Sequence, residues 1–449
     1  MPEYQLHELA YQADPLPRLN AVRSLGAPIL LDSADQRSHL GRYSILCAGP
    51  LLHITDSNSA QADQQQLRAA LQQLGPASWP DGVTLPFGAG LAGYLAYDYG
   101  RHLESLPARA RHDVALPDLA FGLYAWSLVS DHQLRRCWLV CHPTLSTTRQ
   151  AEILAAIEQL GPALPAFSLS TPFRPDQSAQ QYAEAFERIQ HYIHAGDCYQ
   201  INLAQRFSAE FSGDPLAAYG LLRERSPTPF SAYVAVPGGA LLSLSPERFI
   251  EVRKGRVETR PIKGTRPRGS TAAEDLALAD ELIGCDKDRA ENLMIVDLLR
   301  NDLGRSCRPG SIRVPELFSL ESYANVHHLV SSITGQLRED CDAIDLLMRA
   351  FPGGSITGAP KIRAMQIIEE LEPVRRSLYC GSVGYLGCEG QMDFNIAIRS
   401  LVCHQGHIHC WGGGGIVADS LQSAEYQETL TKVSNLLNAL PVAPSAKIN

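Results

Sequence analysis

The run Arg260-Pro261-Ile262-Lys263-Gly264-Thr265-Arg266 sets one lysine between two arginines, beside a glycine and close to a proline. Crowding of like charge lowers an ammonium pKa and frees the nitrogen lone pair for attack on carbon. The plainer reading is a solvated basic turn. Carboxylates recur at helical spacing in two other places. Glu291, Ile295 and Leu298 share one face of a helix predicted over Asp288–Leu299, with Asp302 just beyond. A carboxylate opening an apolar stripe is costly to bury unless a cation meets it; otherwise Glu291 caps the rim. Glu425, Glu428 and Lys432 lie on one face of a helix predicted over Ser423–Leu440. Glu428 and Lys432 alone make an ordinary i,i+4 surface pair. Glutamates converging from both helices would instead suit Mg2+, which takes few carboxylates and leaves places for water and substrate oxygens.

Two glycine-rich stretches could approach an anion. Phe351–Lys361 leads into a helix whose first turn holds Pro360, where free N–H groups attract negative charge. It is not a P-loop, because Pro360 precedes the lysine and no Ser or Thr follows. Gly412–Gly415 follows a strand predicted over Ile408–Trp411; it is either a flexible turn or a set of exposed N–H groups for a carboxylate. Other motifs are set aside. Gly88–Gly93 matches G-x-G-x-x-G, but Tyr94–Tyr99 has no helical spacing. Cys403, His404, His407, His409 and Cys410 lack the spacing of a zinc module, and His407 and His409 alternate along a strand. Cys198 and Cys380 sit near glycines but not in a nucleophile elbow, so glutamine hydrolysis by this chain is not expected.

The elements that must position these groups belong to an ordinary globular chain of 449 residues, 45% hydrophobic and 19% charged. The net charge of -9 argues against a nucleic-acid groove, though local arginines can still hold an anionic small molecule. Eleven cysteines without a C-x2-C pair suit reduced thiols. No signal peptide or membrane-spanning run is evident, so a cytoplasmic location is expected. Short strands dominate the first third. Phe121–Val129 and Leu134–Cys141 read as a hairpin, and Gln61–Leu74 and Ser146–Leu160 as helices. The boundaries expected are an N-terminal region over 1–160, a linker over 161–175 and a catalytic region over 176–440. In the last, helices predicted over Tyr182–His194, Ala272–Ile283, Ala343–Ala350 and Lys361–Leu371 mix with strands such as Gln200–Phe207. There is no strict β-α-β rhythm, so α+β is expected.

In their order along the chain, several runs resemble the chorismate-utilising enzymes. They are Gly196–Leu203, Ser245–Phe249, Pro261–Thr265, Glu291–Gly304, His327–Ser331, Gly353–Lys361, Asp393–Arg399 and Gly412–Lys432. The resemblance spans about Tyr182 to Val433. It implies an α/β sandwich of large antiparallel sheets with helices outside, to which the N-terminal third adds strands. It implies Glu291, Glu425 and Glu428 as ligands of Mg2+, which would grip the ring carboxylate of chorismate. Arg399, Tyr379 and the N–H groups of Gly413, Gly414 and Gly415 would hold the enolpyruvyl carboxylate. Lys432 would also bind substrate, with Thr357 and the catalytic His328 lining the ring.

Lys263 separates the branches of the family. Anthranilate synthases carry alanine in this slot, and isochorismate synthases also lack the lysine. The branch that keeps it makes 4-amino-4-deoxychorismate from chorismate and ammonia, for 4-aminobenzoate and folate. There the lysine adds to ring carbon C2, ammonia then attacks C4, and Glu247 moves the proton at the 4-oxygen. A salt bridge from Glu247 to Arg248 is the plainer alternative. Ammonia is expected from a separate glutamine amidotransferase subunit. Ser33, Arg42, Tyr43, Pro229, Phe230 and Ser231 resemble the tryptophan pocket of the family. Asp32 stands where anthranilate synthases usually have glutamate, which leaves regulation by tryptophan open. The competing readings are an anthranilate or isochorismate synthase, or a chorismate-binding subunit without catalysis.

Overall fold

The computed structural model describes residues 1–443 apart from 37, 39, 160, 324 and 325. Leu160, which ends the helix predicted over Ser146–Leu160, lies outside them.

Period-two alternation explains the layering. Ile29 and Leu30, Ile45 and Leu46, and Leu241 and Leu242 are neighbours on three strands, and all six side chains are buried. Successive residues of a strand face opposite sides, so this sheet must be covered on both. Ile29, Ile45 and Leu241 join Leu91, Phe121 and Phe394 in a core between two sheets. Leu30, Leu46 and Leu242 join Leu19, Ile153, Leu222 and Val433, which come from helices packed outside.

Among the described residues the two sheets have thirteen and ten strands. The pairings between strands are antiparallel, as expected of the α+β sandwich. The larger sheet passes from the early strand Ile29–Asp32 directly to Phe230–Val236. The smaller passes from Gly90–Leu95 to Ser382–Gly387. Strands from the first third therefore enter both layers. Gly161–Pro175, read as a linker, contributes the short strands Ser168–Leu169 and Arg174–Pro175, both on the edge of Gln200–Ser212.

The strand predicted over Phe121–Val129 is two. Leu119–Tyr124 belongs to the smaller sheet and Trp126–Asp131 to the larger, with the crossing at Ala125. Both faces are apolar on each side of the crossing, so periodicity gives no sign of it. The helices follow their caps more closely. Ala179–His194 starts on a Ser178–Gln181 capping box and gives way to Gly196 at φ 83°. Ala343–Ala350 and Lys361–Leu371 have the predicted bounds.

Candidate active site

Lys263 lies half-buried on the strand Ile262–Pro267. Pairing of that strand with Val326–Gln336 slips between Ile262 and Thr265, and Gly264 occupies the slip at φ 88°. Glycine adopts this conformation freely. The Lys263 ammonium donates to the Ser355 carbonyl at 2.6 Å. Its pKa is held below the usual lysine range, but the cause differs from the one expected. Burial is the largest effect, opposed by Glu247 and Glu291 and reinforced by Lys432. The flanking arginines point to other partners: Arg260 bonds to Glu316 and Glu321, and Arg266 to Glu281 and Asp288. A guanidinium neutralised by carboxylates repels a neighbouring amine weakly.

Glu247 follows the strand Gly239–Ser245 and is buried. Burial pushes its carboxyl up to about 7, against the Ser355 hydrogen bond and the Lys263 charge. Such a group can both give and take a proton near neutrality. The Ser355 hydroxyl donates to Glu247 Oε1 at 2.7 Å. Arg248 does not pair with Glu247; it reaches Asp393, Glu251 and Glu258.

His328 is buried on Val326–Gln336, its Nδ1 2.9 Å from the Thr265 hydroxyl. Burial, then the charge of Arg399, push it down to about 3, so the imidazole is neutral. Arg399 has a left-handed backbone, at φ 50°. Desolvation lowers its guanidinium, and no carboxylate among the described residues pairs with it. A partly desolvated cation without a counter-charge is costly, so this position can accept an anionic ligand. Thr357 is buried in the turn after Ser355, its hydroxyl donating back to the Gly353 and Gly354 carbonyls.

The glycine run is not a loop. Gly412–Gly415 lie inside the strand His407–Ile416, paired throughout with Gln200–Ser212. Pairing on the other edge, with Ser400–His404, ends at Leu401 opposite Cys410, so the glycines keep one edge open. Their missing side chains make room on both faces. A Cβ on Gly413 would lie 2.9 Å from the Tyr379 hydroxyl, and one on Gly414 2.9 Å from Glu425 Oε2. Tyr379 itself stacks on Trp411 at 6.3 Å. On the neighbouring strand Gln200 packs its amide against Gly415, leaving Oε1 buried without a partner.

The helices Asp286–Gly304 and Gln422–Leu437 bring the glutamates together. The Lys287 ammonium is 3.9 Å from a carboxylate oxygen of both Glu291 and Glu425. Burial raises both carboxyls, and each raises further beside its acidic neighbours. Glu425 Oε1 accepts from Ser420, while its Oε2 is buried with no partner. Among the described residues no three His, Cys, Asp or Glu side chains form a ready metal cluster. The set still fits a hard divalent cation: the donors are oxygens, one is orphaned, and a lysine stands in for positive charge. Glu428 makes the i,i+4 pair with Lys432 at 2.6 Å, and both are about half exposed. The Lys432 ammonium also donates to the Gly413 carbonyl at 2.9 Å.

Other residues singled out in the sequence lie apart from this site. Lys361 is spent on Asp302 at 2.7 Å and on the Ala350 carbonyl at 2.8 Å, so it braces the glycine-rich turn. Ser33, Tyr43, Pro229, Phe230 and Ser231 line one cavity between the sheets. Arg42 does not line it; its guanidinium pairs with Asp131 at 2.7 Å. Asp32 accepts from Ser44, Tyr219 and Arg223. Gly90–Leu95 is a strand, which removes the dinucleotide motif. The cysteines are all free, and no described helix is long and apolar enough to cross a membrane. Ser355 and Lys287 were not singled out; a lone serine in a glycine turn and a lysine four residues before Glu291 carry no motif of their own.

The site thus gathers a half-buried lysine, a buried glutamate of raised pKa, an arginine without a carboxylate partner among the described residues, and two glutamates from separate helices. Residues 26–438 match the model of the chorismate binding enzymes, and the chain belongs to that family. Aminodeoxychorismate synthase component 1 of Klebsiella aerogenes is 52% identical over 356 residues, 79% of this chain and 78% of the relative. The Salmonella typhimurium (strain LT2) protein of that name is 45% identical over 432 residues, covering 93% and 94%. Among solved structures, anthranilate synthase component I from Streptococcus pneumoniae superposes with a TM-score of 0.78 at 30% identity. That match covers 88% of this chain and 92% of the other.

Proposed function

We propose that the chain converts chorismate and ammonia to 4-amino-4-deoxychorismate and water, a reading supported by its likeness to relatives named aminodeoxychorismate synthase component 1. The observation that carries this reading is the inward Lys263 amine, joined through Ser355 to a Glu247 carboxyl of raised pKa. The neutral amine attacks C2, the ring double bonds shift, and the C4–O bond breaks. Glu247 gives its proton to the departing hydroxyl, which leaves as water. Ammonia then adds at C4, the double bonds shift back, and the C2–N bond to Lys263 breaks. Glu247, now a carboxylate, takes the proton that the new amine sheds. A covalent adduct thus divides one difficult substitution into two easier ones, and proton transfer at a poor leaving group is typically worth about 10²–10⁴-fold.

Arg399, with Tyr379 and the open edge of Gly413–Gly415, would hold the enolpyruvyl carboxylate, and Lys432 would add charge at the rim. His328 and Thr357 would bound the ring. Glu291, Glu425 and Glu428 would hold Mg2+, which when bound neutralises the ring carboxylate. The ammonia source would be a glutamine amidotransferase partner; that relatives are named as first components supports a second one. The cavity lined by Ser33, Tyr43, Pro229, Phe230 and Ser231 is proposed for tryptophan, with Arg42 outside it, and calorimetric titration beside an activity assay tests it. The activity itself is tested by incubating the chain with chorismate, ammonium and Mg2+ and weighing the product. Formation of 4-amino-4-deoxychorismate is expected; anthranilate or isochorismate as the product, or no turnover, would overturn the reading.

A further inference from the structure

We propose that Ser355 is a positioning residue that aims the Lys263 amine with its carbonyl and the Glu247 proton with its hydroxyl. The inference rests on the roles proposed for Lys263 and Glu247. The carbonyl accepts one N–H of the amine at 2.6 Å, which turns the nitrogen lone pair away from the turn. The hydroxyl donates to Glu247 Oε1 at 2.7 Å. With Oε1 occupied by a donor, the carboxyl proton resides on Oε2. One residue therefore sets both the nucleophile and the acid, and keeps the two from pairing directly with each other.

The turn that carries Ser355 is clamped. A Cβ on Gly353 would lie 2.5 Å from Ile396, and one on Gly354 2.7 Å from Leu298, so neighbours press on both glycines. The Arg376 guanidinium donates to the Ile356 carbonyl at 3.2 Å, and the Thr357 hydroxyl closes the turn on Gly353 and Gly354. Lys361 ties down the Ala350 carbonyl just before it. A rigid turn transmits position, as reactive groups displaced by about 1 Å can lose about 100-fold in rate.

Ser355→Ala removes the hydroxyl and keeps the carbonyl. The charged or titratable groups that act on Glu247 are Lys263 and Lys432, and Cys380 lies close enough to feel it. The serine hydrogen bond favours the carboxylate, so its loss raises the Glu247 pKa. In S355A, kcat should fall about 10–100-fold with KM for chorismate within about threefold. The alkaline limb of the pH profile should move to higher pH, and Ser355→Thr should restore both. Should S355A melt early, Ser355→Cys keeps the volume with a weaker donor and serves the same comparison. An S355A enzyme with unchanged kcat and limb would overturn the proposal. So would a lowered kcat with an unmoved limb, or one that threonine does not restore, since either marks a purely structural serine. Near-normal turnover by Lys263→Ala or Glu247→Gln would instead remove the reading beneath it.

Discussion

Replacing Lys361 with methionine should weaken the fold around the catalytic turn, and not merely loosen an anion. The ammonium is 2.7 Å from Asp302 Oδ2, with side chains 12% and 3% exposed. Breaking a buried pair from one side leaves an uncompensated charge and typically costs about 3–5 kcal/mol. Burial already raises the Asp302 carboxyl, with Lys361 the main force opposing it. Without the lysine that carboxyl rises further, so the native state holds a proton that the unfolded state has released. Stability of K361M should therefore fall as pH rises from the ordinary aspartate range to the raised native value, and the deficit should shrink in acid. Urea denaturation of wild type, K361M, Asp302→Leu and the double variant, at mildly acidic and mildly alkaline pH, measures this. The double variant should recover most of the loss, because an apolar pair of similar size can replace a buried ion pair. A K361M loss below about 1 kcal/mol, or a double variant no better than either single, would refute the reasoning.

Glu247→Gln should lower kcat by about 10²–10⁴-fold. The rate should fall as pH rises through the Glu247 value of about 7, because the acid must be protonated, and that limb should vanish in E247Q when pH profiles are compared. Arg399→Ala should raise KM for chorismate by about 10–150-fold, the worth of hydrogen bonds to a charged group. Its melting temperature should not drop, because the guanidinium has no carboxylate partner among the described residues to lose.

Local patterns carried much of this architecture. The helices Ala343–Ala350 and Lys361–Leu371 were legible because caps and apolar spacing are local properties. The hidden parts depend on the partner of each residue. Lys263 stands out among its arginines, yet its amine is tuned by burial and by Glu247, which lies in the link between Gly239–Ser245 and Arg248–Arg253. Glycine runs read as turns, but Gly412–Gly415 are strand because Gln200–Ser212 supplies their hydrogen bonds. Only the resemblance joins Glu291 with Glu425, because spacing along one helix says nothing of a distant helix; the structure packs both near Lys287. Arg42 depends on its partners too: its guanidinium lies over the Tyr43 ring at 4.8 Å while Asp131 takes its charge.

Mass spectrometry of the chain mixed with chorismate and Mg2+ in the absence of ammonia tests the proposed chemistry most directly. A dehydrated chorismate adduct is expected on the peptide carrying Lys263, cleared by added ammonium and absent from Lys263→Ala. An adduct of the same mass in Lys263→Ala, or wild-type turnover by that variant, would contradict that chemistry.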